Sequence, residues 1–160
     1  MDSIELYFNG EKQQCIIGAM ISFLFIVISV FFAFQQKPFL KGISYAVIPF
    51  SILLLIICLG IISRTPKDIK RVSALQMEKP HRVPLVELPR MEKVMKNFNI
   101  IKKVELAVFI IGLLLLVLFW PNEIVRGVAI GLLVMGASLY TFDYFAESRG
   151  ETYMQFLQSL

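Results

Sequence analysis

The sequence predicts an all-α integral membrane protein: a four-transmembrane-helix bundle built from two hairpins. Three observations carry this. The chain is 57% hydrophobic and only 18% charged, with a mean hydropathy of +0.71, which is well above the range of soluble domains. Four apolar runs, 15–34, 42–62, 104–120 and 124–142, approach the roughly 20 residues needed to cross a ~30 Å hydrocarbon core. Charge gathers outside them, eleven Lys and Arg falling between residues 64 and 103 against four acids. What is left between the runs is too short for a separate soluble domain, so 1–160 reads as one membrane domain.

The first run follows the leader "MDSIELYFNGEKQQ", which is acidic where a signal peptide is basic, and "VFFAFQQ" offers no small-x-small cleavage site. Run 15–34 is therefore expected to be a retained span. Cys15 and Cys58 lie near the inner ends of spans one and two, within reach of each other and without a CxxC spacing, and they read as buried, inert thiols. Pro49 should kink the second span. A fresh helix is expected at "RTPKDIKRVSALQM", with Thr65 as cap, Pro66 at its first position and Asp68 in its first turn. Pro80, Pro84 and Pro89 then predict extended backbone through "EKPHRVPLVELP". Beyond Pro89 an apolar stripe of Met91, Val94, Met95, Phe98 and Ile101 recurs at helical spacing. No breaker separates it from span three, which should extend into the cytoplasm as a basic amphipathic helix. Span three carries Glu105 in its first turn and span four carries Arg126.

The positive-inside rule places the connector 63–103 in the cytoplasm of a bacterial-type inner (plasma) membrane, and four spans bring both termini to the same side. The connector should meet anionic lipid headgroups, with Lys102 and Lys103 snorkelling. No nucleic-acid-binding module accompanies its charge. Helix packing in lipid needs small residues, supplied here by Gly18 and Ser22 in span one and by Gly127, Gly131 and Gly136 in span four. The Gly127/Gly131 pair suits either a contact within one chain or an oligomer. Lys41-Gly42 and Ser63-Arg64 bracket span two as Arg126-Gly127 and Ser148-Arg149 bracket span four, a spacing that predicts two hairpins of the same orientation.

Past span four, Asp143, Glu147 and Glu151 lie along one helical face, with Arg149 off it. This acidic tail, 143–160, should dock on the basic helix that carries Lys93, Lys96, Lys102 and Lys103. Glu105 is expected to pair with Lys102 or Arg149. Such wet pairs contribute about 0–1 kcal/mol each. Tyr153, Phe156, Leu157 and Leu160 give the tail an apolar stripe. A catalytic set is not expected: His81, the sole histidine, sits in the proline-rich loop without the Glu-x-x-His spacing of bundle metal sites. The spans also lack haem ligands, and no cofactor is expected.

In layout the chain resembles polytopic immunity proteins against membrane-active bacterial toxins, which share its size and short outer loops. It is also similar in span count to small multidrug transporters and to membrane-embedded glutathione-transferase-like enzymes. Span one, however, has no ionisable residue other than Cys15, and the spans lack the Arg and Asn motif of those enzymes. The expected function is non-enzymatic binding of another protein at or in the bilayer, most concretely immunity to a membrane-active toxin. An oligomeric transporter or channel subunit is the alternative. A membrane-interface enzyme acting on lipid or quinone comes third, with Asp143, Glu147, Arg149 and His81 as its only candidates.

Overall fold

A computed structural model describes residues 3–159. It consists of four long helices: α1 (Ser3–Phe34), α2 (Pro38–Glu78), α3 (Val83–Leu118) and α4 (Glu123–Gln158). Leu160, assigned above to the tail's apolar stripe, and the first two leader residues lie outside the described residues. Three helices are long and apolar enough to cross a membrane: Ile4–Phe34, Pro38–Glu78 and Glu123–Gln158. α3 differs in composition, because Lys102, Lys103 and Glu105 open its apolar stretch.

Every helix is longer than a bilayer requires. The 41 residues of α2 span ~62 Å at 1.5 Å per residue, about twice the hydrocarbon thickness. The surplus is gathered at one end. Ile4, Tyr7 and Phe8 of α1, Val72 of α2, Val83 and Met91 of α3, and Tyr153 and Leu157 of α4 form one buried cluster. The helices thus run up-down-up-down, with turns at 35–37 and 119–122 at the opposite end. Within the cluster Tyr7 stacks on Tyr153 at 4.2 Å between ring centroids, and Arg90 lies over the Phe8 ring at 5.5 Å. Glu87 is fully buried there between two guanidinium groups, Arg90 at 2.7 Å and Arg71 at 3.2 Å. Two partners answer the desolvation of one carboxylate.

Leader residues 3–14 are the first three turns of α1, continuous with span one, because Ile4, Tyr7 and Phe8 at i, i+3 and i+4 bury one face in the cluster. Two sequence expectations are corrected here. Thr65 caps no helix. It is buried inside α2, its hydroxyl donating to the Ile61 carbonyl at 2.7 Å, and Pro66 sits in the helix interior. Continuing the helix past Pro66 costs ~3 kcal/mol of backbone, but it delivers Ile69, Val72 and Leu75 to the cluster. The proline-rich connector is likewise not extended. Only Lys79 and a single 3-10 turn, Pro80–Arg82, separate α2 from α3. Pro84 falls in the first turn of α3, where an amide needs no partner. Pro89 lies inside α3, and its lost hydrogen bond is offset by the burial of Glu87 and Met91 on either side.

The hairpins meet through α2 and α4, which run in the same direction. Gly42 and Gly127 sit face to face: a Cβ on Gly42 would collide with the Ile124 carbonyl, and one on Gly127 with the Phe39 carbonyl. Each obstructing carbonyl lies three residues before the opposing glycine, so the two contacts are reciprocal, as an approximate two-fold between the hairpins requires. Further along, Gly131 takes the Ala46 methyl, and the Ser51 hydroxyl reaches the Met135 sulfur at 3.9 Å. At the turn end Asn122 caps α4 by accepting from the amides of Ile124 (3.1 Å) and Val125 (3.2 Å). The Arg126 guanidinium lies over both Phe39 and Trp120, at 5.4 and 5.3 Å, joining the two turns.

Candidate functional site: the cleft between α2 and α3

An approximate two-fold makes the α1–α4 and α2–α3 seams equivalents; each holds an open cleft, about 660 Å³ at α1–α4 and about 550 Å³ at α2–α3, and they differ in their polar contacts. At the α1–α4 seam Arg149 donates to the Gly10 carbonyl and to Gln14 Oε1, while Gln14 Nε2 donates to the Phe142 carbonyl at 2.6 Å. Five-donor guanidinium geometry suits such bridging. The counterpart arginine by spacing is Arg64 on α2. It turns towards α1 instead, to Glu11 at 3.1 Å, with Asp68 at 3.9 Å. α2 and α3 meet at the cluster end, through Arg71 and Glu87, and beyond it a cleft of about 550 Å³ separates them.

Phe50, Leu53 and Ile57 line one wall of the cleft, Val104 and Val108 the other, with Leu139 of α4 behind. Glu11, Arg64, Asn97, Glu105 and Asp143 gather at the polar end. Glu105 is 7% exposed, and its Oε2 has no hydrogen-bond partner among the described residues. The carboxyl of Asp143, on α4, lines the same end of the cleft. Among the described residues neither has a cation at ion-pair distance, because the neighbouring ones are engaged elsewhere. Lys102 Nζ sits 2.6 Å from Glu147, and that carboxylate holds the ammonium above its ordinary range. Arg149 is committed to α1 and Arg64 to Glu11. Two neighbouring carboxyls with no cation repel when both are ionised, and either a shared proton or a bound cation relieves this.

The remaining residues singled out from sequence are distributed around this site. Glu151, Lys93, Lys96 and Lys103 are exposed and make no ion pair among the described contacts. Gly18 packs beneath the Phe142 ring and the Cys58 sulfur, and Ser22 donates back to its carbonyl at 2.7 Å. Cys15 and Cys58 share a small cluster with Leu54 as free thiols. Gly127 and Gly131 face α2, and Gly136 faces the Phe109 backbone of α3. His81 is exposed in the 3-10 turn. No group of three or more His, Cys, Asp and Glu side chains converges at metal-binding spacing among the described residues. Sequence reasoning missed Glu87, whose carboxylate has a guanidinium at i+3, and it missed that Glu105 would share one end of the cleft with Asp143. The latter had one available signal: a lone carboxylate inside an apolar run is costly unless it serves a purpose. Compared with known protein families, curated proteins and solved structures, the chain shows no match.

Proposed function

We propose that the chain crosses a bacterial-type inner membrane four times, with both termini and the connector 63–103 in the cytoplasm, and acts by binding another protein within the bilayer. The working surface is the α2–α3 cleft. Four-fold crossing is supported by the common end at which all four helices meet, by the apolar face of α3 and by the basic connector. Non-catalytic binding is supported by one observation above the others. Between α2 and α3 an apolar groove walled by Phe50, Leu53, Ile57, Val104 and Val108 is open to a partner's side chains. A transmembrane or amphipathic helix of a partner fits such a groove by its side chains. Immunity to a membrane-active toxin is the most concrete form, since an immunity protein needs only to occupy its toxin.

The test is protection. Cells that express the chain should survive a membrane-active toxin encoded beside its gene, and Leu53→Trp with Val108→Trp, which fill the cleft, should abolish survival at unchanged protein level. Absence of protection against every neighbour-encoded toxin contradicts the proposal. A second reading, a small transporter subunit, is favoured by the Glu105 and Asp143 carboxyls at the inner edge of the spans, since ionisable groups beside a membrane path serve proton relays. It needs an oligomer with a continuous polar path, and a monomer in native lipid excludes it.

A further inference from the structure

We infer that Glu105 and Asp143 form an anchoring site for an ammonium N–H, and that the occupant is a lysine side chain on the membrane-inserted segment of the partner. The inference rests on the reading of the cleft as a protein-binding groove and adds the chemistry of the guest. Three features of the site specify it. First, the Glu105 Oε2 atom is buried and unpartnered, a state that costs free energy until a donor arrives. Second, the charged groups lining the cleft are three carboxylates, Glu11, Glu105 and Asp143, against one guanidinium, Arg64, which Glu11 already neutralises. The uncompensated charge is negative and calls for a cation. Third, access to the acid pair runs along the apolar walls set by Leu53, Ile57 and Val104. A lysine satisfies all three: its four-carbon stem lies along apolar surface while its ammonium offers three donors. At about 550 Å³ the cleft takes a few side chains and not a whole helix, so the guest helix lies in the mouth and projects the lysine inwards.

The test uses the full-length protein in nanodiscs of zwitterionic lipid, with three fluorescent probes. These are a leucine–alanine transmembrane peptide with uncharged ends and one lysine in its inner third, the same peptide with norleucine there, and a labelled dodecylamine. The lysine peptide should bind roughly tenfold more tightly than the norleucine peptide, as expected for a desolvated charge pair. Glu105→Gln and Asp143→Asn should each remove that preference, bringing the ratio of the two peptides' affinities to about one, and both variants are near-isosteric, so either can serve if the other misfolds. Leu53→Trp with Val108→Trp should remove binding of both peptides. If the two peptides bind wild type equally, the ammonium site is refuted while the protein-binding cleft survives. If neither peptide binds, the cleft reading itself fails and the inference with it. Binding of dodecylamine without the lysine peptide overturns the assignment to a partner lysine.

Discussion

At the scale of single residues, the account turns on atoms that have either no room or no partner. A side chain at Gly42 would strike the Ile124 carbonyl, a backbone atom that cannot swing aside, whereas Gly60 has open space where its Cβ would be. Gly42→Leu should therefore destabilise the protein by at least the ~1–3 kcal/mol typical of overpacking. Gly60→Ala should stabilise it by about 0.5–1 kcal/mol through helix propensity alone. Thermal unfolding in mild detergent separates the two signs. Tyr153 makes the complementary case. Its ring is stacked and buried, but its hydroxyl has no partner among the described residues. Tyr153→Phe keeps the stack and removes the orphan, so stability should be unchanged or rise by about 1 kcal/mol. A loss beyond that would mean that the hydroxyl is bonded.

Among the helices, the end of α1 is the element held most by polar contacts from elsewhere. Arg149 and Gln14 bridge it to α4, and Glu11 ties it to α2 through Arg64. Arg149→Met should loosen that end, so amide hydrogen exchange should quicken over residues 4–14 while the α2–α4 contact keeps its protection. Uniform quickening across all helices would contradict the local role. The same end carries a pH response. Burial, with the Glu11 charge adding to it, pushes the Tyr7 phenol up to about 12, and burial raises Tyr153 as well. An unfolded phenol ionises near ~10, so the unfolded chain loses its protons first. The phenols' contribution to stability is therefore constant below about pH 10 and is lost as pH rises towards 12, a slope that chemical unfolding should show and that Tyr153→Phe should reduce. The elements themselves were only partly legible in the sequence. Hydropathy locates the apolar runs, but the local rules misplace helix ends at Pro66, Pro84 and Pro89. Local rules treat proline as a boundary, whereas burial of Val72, Met91 and Leu157 in a shared cluster outweighs one lost hydrogen bond.

For the whole molecule, the two-hairpin arrangement is visible in the sequence as the repeated Lys/Arg-Gly and Ser-Arg pairs, and it reappears as the reciprocal Gly42–Gly127 contact. What the sequence does not disclose is how each seam is bridged. That depends on where Arg64 and Arg149 point, and each had several acids and carbonyls within reach along the chain. The α2–α3 cleft and its carboxyl pair lie beside Arg64. Its use as a binding groove also requires all four helix ends to share one compartment. Single cysteines at Gln35, Glu123, Glu5, Glu92 and Gln155, in a background with Cys15 and Cys58 replaced by serine, report this directly through a membrane-impermeant thiol reagent applied to intact cells. Cysteines at positions 35 and 123 should react at once, and those at 5, 92 and 155 only after the membrane is permeabilised. Labelling of positions 5 and 155 from opposite faces would contradict the account.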